Sequence, residues 1–88
     1  MNVKEFRDFC LSLKGVQENA PWTEPKYQNL ITFTVGEKWF SLLDIDNKFT
    51  NLKCDPDMIF ELQDKYLGCF PAWHMNKKHW IGVRLESD

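Results

Sequence analysis

The sequence predicts a single α+β domain over residues 1–88, in which an antiparallel sheet carries helices on one face. Two patterns indicate this class. Apolar residues recur at helical spacing in residues 3–13 and again in residues 59–66, whereas residues 31–35 alternate Ile, Phe and Val with Thr, the period of a strand. The composition agrees, because 43% of the residues are hydrophobic, and seven Phe and four Trp can bury large areas in a small core. The predicted order is α-β-β-β-α-β.

The first predicted helix carries signals for its start and its end. Asn2 can accept a hydrogen bond from the first turn, and Glu5 stands where it completes a capping box. Gly15 is expected to end the helix as the glycine that follows the C-cap. Residues 16–29 contain two prolines and are interpreted as an irregular connection whose aromatic side chains pack against the core. Those side chains are Trp22 and Tyr27.

Three neighbouring antiparallel strands are predicted next, at residues 31–35, 38–45 and 49–54. Gly36 and Glu37 fit a two-residue hairpin turn between the first two strands. Gly at the first central position favours type II′ for this turn.

An Asp-Pro-Asp run predicts the start of the second helix. Asp55 can cap the helix, Pro56 suits its first position, and Asp57 complements the positive end of the helix dipole. We expect the helix to end before Gly68 and residues 79–85 to form the last strand.

Composition also excludes some classes of protein. The chain has no apolar run near the roughly 18 residues that span a bilayer, and its N-terminus lacks a signal-peptide core, so no membrane partner is expected. The odd set of Cys10, Cys54 and Cys69 argues for a reducing compartment, and the cytoplasm is the expected location. A net charge of −2 does not by itself favour nucleic acid.

The distribution of charge is more informative than its sum. No acidic residue lies between Asp64 and Glu86, whereas four basic residues do, which leaves seven basic and thirteen acidic residues elsewhere. Residues 71–80 also hold two Trp and two His, and lysines attract phosphate while aromatic faces stack on bases. The candidate nucleic-acid-binding residues are Lys65, Trp73, His74, Asn76, Lys77, Lys78, His79 and Arg84. The alternative is that residues 71–80 form a structural loop, in which the tryptophans pack against the core and the lysines are solvated.

Signals for catalysis and for metals are weak. His74 and His79 make at most two zinc ligands, and a structural site needs four, so we expect neither a metal nor another cofactor. Cys54 lies just before the predicted helix cap, where its pKa could be lowered, so a Cys/His nucleophile stays open. Free cysteines are more often small buried apolar residues. We expect a protein that is not an enzyme.

Two segments resemble the MmcQ/YjbR family. They are Asn51-Leu52-Lys53-Cys54-Asp55-Pro56 and, after the second helix, Pro71-Ala72-Trp73-His74-Met75-Asn76-Lys77-Lys78-His79-Trp80. The resemblance implies a CyaY-like or secretion-chaperone-like α+β fold. It also implies DNA binding, from a double-wing comparison, and a C-terminal helix beyond the last strand that this sequence, ending at Asp88, does not include.

Two functions therefore remain open. The first is a nucleic-acid-binding or regulatory module that binds DNA weakly and largely without sequence specificity. The second is a protein- or small-molecule-binding module of secretion-chaperone-like fold. Because two helices cover little of such a sheet, we also expect its open side to be covered either by a partner, which is a second copy of the chain or an unidentified protein, or by a C-terminal tail.

Overall fold

A computed structural model describes residues 1–86. Its helices are α1 (Val3–Ser12) and α2 (Pro56–Lys65), and residues 25–27 form a short 3-10 turn. The strands are β1 (Val16–Asn19), β2 (Leu30–Val35), β3 (Lys38–Asp44), β4 (Phe49–Lys53), β5 (Cys69–Pro71) and β6 (Trp80–Arg84). They form one antiparallel sheet in the order β1-β2-β3-β4-β6-β5. Neither helix is long and apolar enough to cross a membrane.

The predicted α+β class is confirmed, and so is the row of three neighbouring strands β2, β3 and β4. The sheet nevertheless has two strands more than predicted within the described residues. β1 lies in the segment that we interpreted as irregular, and β5 lies after α2. Both are edge strands of three or four residues, too short for a period of two to stand out among turn residues.

The capping box of α1 is confirmed, but its predicted end is wrong. The Glu5 N–H donates to Asn2 Oδ1 at 2.8 Å, and the Asn2 N–H donates to Glu5 Oε1 at 3.0 Å. The helix ends at Ser12 with Leu13 as an extended C-cap. Gly15, with φ of +79°, instead serves the turn into β1, a conformation that suits glycine.

The other local signals are confirmed, with one change of turn type. Asp55 caps α2, since its Oδ1 accepts a hydrogen bond from the Asp57 N–H at 2.9 Å, and Pro56 is the first helical residue. The β2–β3 hairpin has the expected two-residue turn. Gly36 and Glu37 both have positive φ, of +56° and +67°, so the turn is type I′ rather than type II′.

One face of the sheet packs against α1. Phe33 of β2 and Leu43 of β3 are fully buried there, together with Phe6 and Cys10 of the helix. The rings of Phe6 and Phe33 meet edge to face with their centroids 6.2 Å apart. α2 instead contacts β5 and β6. The two helices therefore cover different parts of the sheet.

The opposite face of the sheet contains one row of cross-strand neighbours. The row runs through Thr32, Leu42, Asn51, Gly82 and Phe70. Gly82 leaves the space that the Phe70 ring occupies, because a Cβ at position 82 would lie 2.4 Å from a ring carbon of Phe70. A side chain at this position would therefore displace an aromatic ring.

We expect Gly82→Ala to lower the free energy of unfolding by about 1–3 kcal/mol, the usual cost of overpacking. Denaturant unfolding measures this change. Gly68→Ala is a matched control, because a Cβ there would meet no atom closer than 4.0 Å. Phe70→Leu should reduce the cost of Gly82→Ala. Equal costs for the two glycine substitutions would contradict the steric explanation.

Candidate functional site

A buried amide holds the segment that contains most of the predicted site. Asn51, on β4, has no exposed surface. Its Nδ2 donates to the Trp73 carbonyl at 2.7 Å, and the Trp73 N–H donates to Asn51 Oδ1 at 3.2 Å. The sequence did not predict this role, for which the only signal was a polar residue inside a strand. Asn51 thus fixes the backbone at Trp73 where no strand pairing exists.

The next part of the segment is a turn built by Asn76. Its Oδ1 accepts a hydrogen bond from the Lys78 N–H at 2.8 Å, and its carbonyl accepts one from the His79 N–H at 3.1 Å. The His79 carbonyl accepts a hydrogen bond from the Cys54 N–H at 2.8 Å, which joins the turn to the end of β4. Asn76 and His79 therefore shape the loop, and Lys77 and Lys78 extend from it into solvent.

The four cations predicted from the sequence do not gather into one patch. Lys77 and Lys78 precede the first residue of β6, whereas Arg84 is its last residue, and a five-residue strand spans about 13 Å. Lys65 ends α2, three residues before Gly68, whose carbonyl accepts a hydrogen bond from the Arg84 N–H at 2.7 Å. Lys65 and Arg84 therefore lie at the opposite end of β6 from Lys77 and Lys78.

A different set of cations lies at one end of the sheet. Antiparallel pairing brings the start of β3, the end of β4 and the start of β6 to one end of the sheet. The turn after α1 lies there too, because Val16 pairs with Val35. We call this group the lysine end; its members are Lys14, Lys38, Lys53, Lys77 and Lys78. These residues are far apart in sequence, so no local pattern indicated the group.

The first three of these lysines line a single apolar hollow. Lys14, Lys38 and Lys53 surround a volume of about 380 Å³ whose other walls are aliphatic and aromatic. Within residues 1–86, no lysine of the lysine end forms an ion pair with a carboxylate. Other cations are paired, as Arg7 is with Glu18 at 2.6 Å. The lysine end therefore holds positive charge that the described chain does not neutralise by direct contact.

A second hollow collects the aromatic residues. We call it the aromatic pocket, a volume of about 290 Å³. Its lining residues are Trp22, Tyr27, Leu30, Trp39, Leu42, Trp73, His74 and Met75. Trp22 and Tyr27, which we expected against the core, are half-buried and form walls of this pocket. Trp73 and His74 of the predicted site therefore line the aromatic pocket, whose lining includes none of the cations predicted with them.

The structure argues against Cys54 as an activated nucleophile. Burial raises the pKa of the Cys54 thiol, and the neighbouring Asp55 carboxylate raises it further. The prediction that the helix start lowers this pKa is therefore wrong. Burial also raises the pKa of Cys10 to about 11. Among residues 1–86, no three His, Cys, Asp or Glu side chains converge on a point where they could hold a metal ion.

The fold and its hollows define a small α+β sheet domain with surface sites, and comparison with known proteins gives its family. The family model described as YjbR matches residues 11–88, so the chain belongs to the YjbR family. It is similar to the uncharacterised protein YyaQ of Bacillus subtilis, at 31% identity over 87 residues. It is also similar to the uncharacterised protein YbdF of Escherichia coli O157:H7, at 51% identity over 53 residues.

Two crystal structures share this fold. The Deinococcus radiodurans protein DR2400, with a DUF419 domain, has a TM-score of 0.81 and 30% identity over 96% of this chain. A Pseudomonas syringae protein has a TM-score of 0.78 and 28% identity over 97% of this chain. The alignments cover 82% and 58% of this chain for YyaQ and YbdF. The chain spans 70% of YyaQ, 43% of YbdF, 63% of DR2400 and 82% of the Pseudomonas protein.

We expect Asn51→Leu to lower the free energy of unfolding by about 2–3 kcal/mol, because it leaves two backbone groups of Trp73 without partners. Urea unfolding measures the loss, and tryptophan fluorescence of the folded protein reports the release of Trp73. Asn19→Leu is the control, because Asn19 is an exposed strand residue whose side chain makes one long hydrogen bond, from Nδ2 to Thr34 Oγ1 at 3.3 Å. A similar cost at both positions would contradict the role of Asn51.

Cys54 should react slowly with iodoacetamide at neutral pH, because a raised pKa leaves less thiolate. The rate is measured against pH in a Cys10→Ala, Cys69→Ser background, in which Cys54 is the only thiol. Asp55→Asn should move the midpoint of the rate–pH curve to lower pH. It removes one cause of the raised Cys54 pKa, while Asn still caps the helix. An unchanged midpoint would contradict the assigned cause.

Proposed function

We propose that this YjbR-family domain is a non-catalytic cytoplasmic module that binds nucleic acid through its phosphates. One observation supports the proposal above the others: Lys14, Lys38 and Lys53 line one hollow, Lys77 and Lys78 lie at the same end of the sheet, and none of the five has a carboxylate partner in residues 1–86. Lysine ammonium groups attract phosphates as point charges, and each neutralised phosphate releases counterions. Such binding positions a protein on nucleic acid without reading its sequence.

The proposal replaces the cation set predicted from the sequence with one defined by position in the sheet. Lys77 and Lys78 stay in the site, and Lys14, Lys38 and Lys53 join them. Lys65 and Arg84 leave it, because they lie at the other end of β6.

Acidic residues near the lysine end limit the expected affinity. Glu37 occupies the β2–β3 turn, and Asp55 and Asp57 lie at the start of α2. With a net charge of −2, the rest of the protein repels a polyanion. We therefore expect dissociation constants of roughly 10⁻⁴ to 10⁻⁶ M, the range of non-specific complexes.

Two further observations support the non-catalytic and cytoplasmic parts of the proposal. The raised pKa of Cys54 makes it a poor nucleophile. Cys10, Cys54 and Cys69 are free thiols, which suits a reducing compartment. The aromatic pocket favours a second function, small-molecule binding, which does not depend on the lysine end.

The lysine end should set both the affinity for DNA and its dependence on salt. With five phosphate contacts, we expect a log–log salt slope of about −4.5 for duplex DNA. Lys38→Glu/Lys78→Glu should weaken binding at least tenfold and flatten that slope. Fluorescence anisotropy of a labelled duplex, titrated at several salt concentrations, measures both quantities.

The matched control is Lys65→Glu/Arg84→Glu, which changes the net charge equally at the other end of β6. We expect it to alter affinity by less than threefold, with urea unfolding used to verify that both variants fold. Equal losses of DNA affinity in the two variants would indicate that binding depends on the overall charge of the protein and not on the lysine end. Absence of binding by the unmodified protein at low salt would reject the proposed function.

A further inference from the structure

The walls of the aromatic pocket meet at steep angles. The rings of Trp22 and Trp39 are 5.6 Å apart at 76°, and those of Trp22 and Tyr27 are 6.3 Å apart at 55°. Across the pocket, the rings of Trp73 and His74 are 4.2 Å apart at 84°. None of these three neighbouring ring pairs is parallel, so together they present ring faces and edges in several directions. The arrangement suits a compact, rounded group that touches several rings at once.

Charges of both signs adjoin the pocket, because the hollow of the lysine end shares Trp39 with it, whereas a second hollow places a carboxylate beside Tyr27 and Trp73. The pocket lining contains no Lys, Arg, Asp or Glu. The adjoining hollow shares Tyr27, Leu30 and Trp73 with it and contains Asp44. The Asp44 carboxylate is held in place by Asn29 Nδ2, which donates at 2.8 Å, and by two groups of Asn47, each donating at 2.9 Å. A fixed acidic group therefore lies beside the aromatic walls.

One ring of the pocket already attracts a cation of the chain itself. The Lys26 ammonium lies 5.0 Å from the centroid of the Tyr27 ring, within the distance at which the ring quadrupole attracts positive charge. Lys26 lines the adjoining hollow and is absent from the pocket lining. Its charge would repel a second cation bound nearby.

We propose that the aromatic pocket binds a quaternary or methylated ammonium group, with Trp22, Trp39 and Trp73 as its walls. Such a group is compact and weakly hydrated, and it gains from several ring faces at once. A volume of about 290 Å³ accommodates it together with its nearest substituents. The pocket and the hollow of the lysine end share Trp39, but Trp22 and Trp73 line only the pocket, so the effects of changing those two residues are separable from DNA binding.

The test compares choline with 3,3-dimethyl-1-butanol, its neutral isostere of the same shape. Binding is followed by NMR of the tryptophan indole N–H signals, with Trp80 outside the pocket as an internal reference. We expect choline to shift the signals of Trp22, Trp39 and Trp73, with a Kd on the order of 1 mM. The neutral isostere should bind at least tenfold more weakly.

Variants separate the contribution of ring faces from that of general apolarity. Trp22→Leu should weaken choline binding at least tenfold, whereas Trp22→Phe, which keeps a ring face, should retain most of it. Phe60→Leu removes an exposed ring outside the pocket and should leave binding unchanged. Lys26→Met should strengthen binding about two- to fivefold, because it removes a nearby like charge.

Peptides distinguish the source of the ligand. Stronger binding of a trimethyl-lysine peptide than of choline, with no binding of its unmethylated form, would assign the pocket to modified proteins, and the reverse order would assign it to free quaternary amines. Equal binding of choline and its neutral isostere would overturn the proposal. So would a loss of choline affinity in Lys26→Met, because a like charge at Lys26 should oppose binding, or absence of any shift at 100 mM choline.

Discussion

The buried Asn51 amide is the contact on which the site-bearing face of the sheet depends. Its side chain supplies to Trp73 one donor and one acceptor, the two groups that a paired strand would supply through its backbone. A buried amide left without partners carries a large desolvation penalty, so the loop and the amide hold each other in place. The loop can therefore be irregular in sequence and still have a defined position.

Aromatic contacts extend this constraint across the sheet. The Phe70 ring occupies the space above Gly82, and Phe49 contacts it edge to face at 5.6 Å. Phe49 also contacts Trp73 at 6.1 Å, and Trp73 forms a wall of the aromatic pocket. The absence of a side chain at one glycine is thus connected, through three rings, to the shape of a pocket on the same face of the sheet.

The distribution of charge distinguishes two candidate binding surfaces, which share Trp39. The lysine end carries positive charge that lacks direct ion-pair partners in residues 1–86, whereas the aromatic pocket has no charged side chain in its lining and a fixed carboxylate, Asp44, beside it. A polyanion at the lysine end and a small organic cation in the aromatic pocket would therefore contact mostly different residues. The net charge of −2 describes neither surface.

The sequence by itself determined the features whose causes are local. The capping box of Asn2 and Glu5, the Asp55 cap and the two-residue hairpin all depend on residues within a few positions of one another. The alternation of apolar residues with Thr identified β2. The resemblance to the MmcQ/YjbR family agrees with the family match. The turn type was missed because Glu37 adopts a positive φ, which residue type alone does not indicate.

Only the tertiary structure decided which residues share a surface. Strand pairing brings Lys14, Lys38 and Lys53 together from three parts of the chain, and the length of β6 separates Lys78 from Arg84. Charge and residue type are readable along the chain, but proximity across a sheet follows from strand order and register. Those depend on contacts between distant residues, which a short window of sequence does not contain.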